Sequence, residues 1–93
     1  MSVRNSYIKN ATTAVYTNSG ASTINVIHTA LTNNGTAVNA SASGSTIRMH
    51  DVSMFDNTTG LAIGAGATIA TANNNHSAGN TTSAGTNGTI NTF

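Results

Sequence analysis

The side chains able to move a proton or hold a metal are His28, His50, His76, Asp51 and Asp56. General acid–base work needs such a group tuned by its neighbours. His50 and Asp51 are adjacent, and neighbours on a strand project to opposite faces, so they do not make an oriented dyad. His28 and His50 lie on separate apolar runs and could approach across a sheet. With an aspartate they would make a metal site on paper, but no H-x-x-x-H or similar close ligand spacing accompanies them. Isolated surface or interface histidines are the simpler reading. Gly64-Ala65-Gly66 has neither the G-x-G-x-x-G spacing nor the lysine of a phosphate loop. It reads as small residues between strands. Asn-x-Ser/Thr triplets at Asn10, Asn34, Asn39, Asn57, Asn75, Asn80 and Asn87 follow from composition and imply no glycan. The expectation is therefore a non-enzyme with no catalytic residue, no metal site and no cofactor.

Whatever positions these few groups is built from Thr, Asn, Ser, Ala and Gly. Charged residues make up only 5% of the chain: Arg4, Lys9, Arg48, Asp51 and Asp56. An ordinary globular protein has about 25%. The net charge of +1 offers no basic stripe for nucleic acid and no polybasic membrane anchor. There is no cysteine, hence no disulfide framework or thiolate site. No apolar stretch long enough for a signal peptide follows Met1-Ser2-Val3-Arg4-Asn5, so the chain reads as an unprocessed product. No run approaches the roughly 20 apolar residues of a membrane helix. Composition of this kind suits either a disordered chain or a β structure with Thr, Ser and Asn on its solvent faces. Recurring short Val/Ile runs between turn signals favour the second.

Helix is disfavoured, because Thr, Asn, Ser and Gly are poor helix interiors. Strands are predicted at Tyr7-Ile8, at Ala14-Val15-Tyr16-Thr17 and at Thr23 to Leu31, the last apolar on both faces like a central strand. Asn34-Gly35 reads as a hairpin turn. Val38, Ala40 and Ala42 then alternate with Asn39, Ser41 and Ser43. Thr46 to Val52 is a further strand, and Leu61-Ala62-Ile63 and Ala67 to Thr71 flank the glycine pair. Spacings near ten residues with turns between predict an all-β fold, a small antiparallel β-sandwich or barrel over residues 1–72. Val15, Ile24, Val26, Ile47, Met49 and Val52 are the expected core between its two sheets. No large apolar residue occurs from Asn73 to Thr89. Residues 73–93 therefore read as an extended C-terminal arm anchored by Ile90 and Phe93. The chain has 21 large apolar side chains (Val, Ile, Leu, Met, Phe, Tyr), few for a core of this length, which points to oligomerisation. Tyr7, Ile8, Ile90 and Phe93 are the expected assembly contacts.

Tyr7-Ile8-Lys9-Asn10, Thr12-Thr13-Ala14-Val15-Tyr16-Thr17, Ser19 to Ile24, Leu31-Thr32-Asn33 and Val38-Asn39-Ala40-Ser41 together resemble small virion structural proteins of tailed bacteriophages. The resemblance covers roughly residues 7 to 43. It implies a β-sandwich with a decoration, head-completion or tail-associated role, and it carries over no catalytic residues. The resulting expectation is a virion-located capsid decoration or cement protein. Its partners would be copies of itself and a major capsid or other virion protein, with no nucleic acid and no membrane. A tail- or fibre-associated binding module and a self-polymerising surface filament are the alternatives.

Overall fold

Thr23-Ile24, Thr46-Ile47 and Thr68-Ile69 lie directly beside one another in register, each on a separate strand. Their near-constant spacing sets the architecture. The computed structural model describes residues 1–72 and 74–90. Its strands are β1 (Ser2–Arg4), β2 (Tyr7–Lys9), β3 (Thr13–Thr17), β4 (Thr23–Thr32), β5 (Thr36–Ala40), β6 (Thr46–Phe55), β7 (Thr59–Ile63), β8 (Thr68–Thr71), β9 (His76–Ala78) and β10 (Gly88–Thr89). Every strand pairing among the described residues is parallel. The chain winds as a parallel β-solenoid, each coil laying its strands beside those of the coil before.

Three faces build each coil. The first carries β1, the start of β4, the start of β6, β8 and β10. The second carries β2, the ends of β4 and β6, and β9. The third carries β3, β5 and β7 as a separate sheet. Between faces the backbone turns through left-handed residues that also stack. Asn5, His28 and Asp51 have φ of 52°, 48° and 53° at one corner. Asn10, Asn33, Asp56 and Gly79 have φ of 59°, 54°, 59° and 71° at the next. Ala21, Gly44 and Gly66 have φ of 60°, 84° and 78° at the third. Left-handed backbone disfavours most L residues, and Asn, Asp and Gly tolerate it best. That preference explains most of these positions.

The expectation of an antiparallel sandwich or barrel is overturned by this pairing. The positions of β2 to β8 are close to those read from the sequence, whereas β1, β9 and β10 were not expected, and the strand partners differ from a sandwich throughout. Asn33-Asn34-Gly35 makes no hairpin. A two-residue hairpin of the Asn-Gly type needs two successive left-handed residues, and only Asn33 is left-handed here. The corner turns the chain onto another face, so β4 and β5 belong to different sheets. The division at residue 72 is also corrected. Of the residues expected to form an arm, 76–78 and 88–89 continue the winding, with β9 pairing β6 and β10 pairing β8.

Inside the coils, identical or similar side chains stack in columns. Val15, Ile24, Val26, Ile47, Met49 and Val52 are all buried, within the solenoid rather than between two sheets. Leu31, Val38, Met54, Leu61 and Ile69 complete the interior. An asparagine ladder runs beside them at 23-residue spacing. The Oδ1 of Asn34, Asn57 and Asn80 accepts the backbone N–H of Ala11, Asn34 and Asn57, at 3.0, 2.9 and 3.0 Å. Each Nδ2 donates to the carbonyl of Ile8, Leu31 or Met54. The ladder satisfies backbone groups at the corner that no strand partner reaches. Among the described residues no buried side-chain nitrogen or oxygen is left without a partner.

Among the glycines, Gly64 has the closest backbone approach from a neighbouring coil. A Cβ there would run into the backbone carbonyl of Ser41, one coil away, and backbone cannot swing aside like a side-chain tip. Gly64→Ala is expected to cost about 1–3 kcal/mol through overpacking. At Gly85 a Cβ would meet nothing within 4 Å, so Gly85→Ala is the neutral control. Urea melts of the two variants check this, and equal midpoints would mean the coils can spread at no cost.

Candidate functional site

A cluster of polar side chains stands on the corner that Asn5, His28 and Asp51 turn. Because these residues are stacked rung upon rung, their backbones lie about 4.8 Å apart, close enough for their side chains to meet. His28 Nδ1 and Asp51 Oδ2 are 2.6 Å apart. Both side chains are about half exposed, at 53% and 48%, so the pair contributes at most about 1 kcal/mol to stability. The backbone N–H of Asp51 donates to Asn74 Oδ1 at 3.0 Å, and Asn74 Nδ2 lies 3.3 Å from His50 Nδ1. The His28 and His50 rings meet edge to face, with centroids 5.6 Å apart.

The two histidines do approach across the sheet. Asp51 pairs with His28, one coil away, rather than with its neighbour His50. Sequence reasoning missed this pair because it treated Asp51 as a strand residue, whereas its left-handed φ puts its side chain at a corner. The recurrence of Asn5, His28 and Asp51 at 23-residue intervals was the available signal. No hydroxyl hydrogen-bonds to either histidine ring among the described residues, so no nucleophile completes a triad. No group of three or more His, Cys, Asp or Glu that could hold a metal occurs among them either. Asp56 lies exposed on the next corner, and His76 is exposed on β9 in register with Ser53.

A shallow groove of about 420 Å³ opens beside the corner on the second face, lined by Asn5, Tyr7, His28, Thr29, Asp51 and Ser53 among others. Tyr7, 64% exposed, stands at one end of it. Its hydroxyl accepts a hydrogen bond from Thr32 Oγ1 at 3.0 Å, and the Lys9 ammonium lies 5.8 Å from its ring centroid. Tyr7 thus sits on the side wall of the solenoid.

The two ends of the stack differ in chemistry. Followed along the axis, Ile8, Leu31 and Met54 are succeeded by Ser77. Val3, Val26 and Met49 are succeeded by Thr71 and Thr89. At the third face Val15, Val38 and Leu61 are succeeded by Ala84, whose N–H donates to the Leu61 carbonyl. Every one of these columns closes on a small or polar residue in the last coil, and Ser77, Ala84 and Thr89 are exposed. The first coil ends differently. Val3, Ile8 and Ala14 are half-buried and Met1 is 81% exposed. Among the described residues β1, β2 and β3 each pair on one side only. Arg4 and Lys9 stand exposed on these edge strands, while residues 68–90 contain no Lys, Arg, Asp or Glu.

Of the expected assembly contacts, Ile8 therefore belongs to the open apolar end and Tyr7 to the side wall. Ile90 is half-buried, its N–H donating to the Thr71 carbonyl, and Phe93 lies outside the described residues. Fold and surface together define a short parallel β-solenoid with one apolar end, one polar end and, on one corner, the His28–Asp51 pair. Comparison of the chain with protein-family models, with curated proteins and with solved structures finds no match.

Proposed function

We propose that this chain is a non-enzymatic structural protein of a virion, a decoration or cement subunit that docks end-on through its first coil. The observation that carries the reading is the contrast between the two ends. A solenoid needs polar capping at any end that faces water, and only the last coil supplies it. Free strand edges flanked by half-buried apolar side chains suit β-augmentation, in which main-chain hydrogen bonds give affinity and side chains give specificity. One docking end and one closed end make a subunit that binds once and stops. A self-polymerising filament would need two complementary ends.

Charge narrows the partner further. Arg4 and Lys9 rim the docking end, while both aspartates of the chain lie on the third coil. Two first coils brought face to face would set like charges together. The complementary surface is a strand edge on a larger shell, rimmed by carboxylates. The virion setting rests on the near absence of charge and on the resemblance of residues 7–43, without the sandwich that the resemblance implied.

Co-sedimentation with the native particle tests the reading. Reversing both exposed charges, Arg4→Glu with Lys9→Glu, is expected to weaken binding roughly tenfold or more and to change its salt dependence. Deleting residues 88–93 is expected to leave binding unchanged, since the last coil is the closed end. Wild-type binding by the charge-reversed protein, with its circular dichroism unaltered, would remove the docking end from consideration. Loss of binding on deletion alone would return the contact to the C-terminus.

A further inference from the structure

The groove beside the polar corner has the makings of a ligand site; it opens on the side wall, and Asn5 and Tyr7 of the first coil form part of its lining. We propose that it binds a neutral sugar, with Tyr7 as the platform and the Asn5–His28–Asp51 corner as the hydrogen-bonding wall.

Four polar groups converge on the groove with capacity to spare. His28 Nδ1 is occupied by Asp51 Oδ2, which leaves His28 Nε2 and Asp51 Oδ1 without a hydrogen bond among the described residues. The Asn5 side-chain amide and the Ser53 hydroxyl also make none there, although both residues line the groove. Together they offer donors and acceptors side by side, as adjacent ring hydroxyls require. The Asp51 carboxylate is held in place by His28, so little side-chain entropy remains to be lost on binding.

The platform is equally constrained. The Thr32 hydroxyl fixes the Tyr7 hydroxyl, and the ring stays exposed although the chain has few aromatic residues to spend, only 4%. An exposed aromatic ring with a polar tip suits a ligand that has one apolar face and a polar rim. A pyranose is such a ligand. Small side chains make the floor: Tyr7 pairs in register with Ala30, and Ala30 with Ser53. That hollow, at about 420 Å³, lies in the ordinary range for small-molecule sites.

The charge of the site argues for a neutral occupant. Asp51 faces His28, and Lys9 stands over the Tyr7 ring, so neither sign is in excess. His28 adds an independent observation. It adopts a left-handed backbone, φ 48°, at a corner where Asn5 and Asp51 do the same at lower cost. Residues held in sparsely populated backbone regions cluster at ligand sites, and His28 is the bulkiest side chain on that corner.

The test uses the ¹⁵N-labelled full chain titrated with methyl glucoside, methyl galactoside and methyl mannoside, which cover the common hydroxyl arrangements. At least one is expected to shift the amides of Asn5 to Tyr7, His28 to Ala30, Asp51 and Ser53, with a dissociation constant on the order of 1 mM. Tyr7→Ala is expected to weaken binding at least about tenfold, and Asp51→Asn severalfold, while Tyr7→Phe retains the platform and most of the affinity. Tyr7 and Asp51 are exposed enough that neither variant should unfold, which the unchanged remainder of the spectrum would verify. Absence of localised shifts with all three sugars overturns the proposal. So does binding that survives Tyr7→Ala. Either failure leaves the docking experiment with Arg4 and Lys9 untouched.

Discussion

Asn57→Ala is expected to lower the unfolding free energy by about 3–5 kcal/mol, one of the two largest effects of any single substitution in this chain. The side chain is the middle rung of the asparagine ladder and is 1% exposed. Its Oδ1 accepts from the backbone N–H and from the Nδ2 of Asn34, at 2.9 and 3.1 Å. Its Nδ2 donates to the Leu31 carbonyl at 3.0 Å and to Asn80 Oδ1 at 2.9 Å. Truncation removes this partner from two donors on one side and from two acceptors, the Leu31 carbonyl and Asn80 Oδ1, on the other. Each buried unsatisfied group costs roughly 1–3 kcal/mol, and partial relaxation keeps the total below the sum. Asn39→Ala is the comparison. That residue is half-buried, with no side-chain hydrogen bond among the described residues, so its loss should stay within about 0.5 kcal/mol. Denaturant melts of the two variants decide the matter. Equal midpoints would mean that water replaces the ladder without cost.

The ladder also shows where the fold was written in the sequence and why strand-by-strand reading did not find it. Asn10-Ala11-Thr12-Thr13, Asn33-Asn34-Gly35-Thr36, Asp56-Asn57-Thr58-Thr59 and Gly79-Asn80-Thr81-Thr82 recur every 23 residues. In each, the first position is left-handed. The second joins the ladder, its backbone as donor at Ala11 and its side chain at the other three. The fourth lies beside its counterpart in the next coil. Local rules saw Asn, Asp and Gly as turn residues, correctly, and then assigned the commonest consequence of a turn, an antiparallel return. A corner and a hairpin use the same residue types. What separates them is the number of successive left-handed residues and the register of pairing, and register is a long-range property. Strand existence and the buried set Val15, Ile24, Val26, Ile47, Met49 and Val52 were legible because apolar alternation reports burial whatever the partner strand is. The corner site was less legible. His28 and Asp51 are 23 residues apart, and only the coil period places them together.

Ile47→Ala is the second large effect, expected to cost about 2–5 kcal/mol and to act on the whole stack rather than on one part of it. Ile47 is 0% exposed and lies between Ile24 and Ile69 in one column. The cavity it leaves is therefore walled on both sides by coils that cannot close without tilting. Solenoid stability is a sum of coil and nearest-neighbour terms, so an interior substitution weakens two interfaces and divides the stack near its middle. Ile69→Ala removes a similar volume one coil nearer the polar end. The coil beyond it is short of large apolar side chains, so less structure depends on that contact. Hydrogen exchange separates the two cases. Ile47→Ala should lower amide protection in β4, β6 and the Val15–Val38 pair of the third face alike. Ile69→Ala should lower it mainly in β8 to β10 while the first three coils keep theirs. Unchanged protection at Val15 and Val38 in Ile47→Ala would show that the third face folds independently of the first. The cooperative solenoid described here would then be wrong.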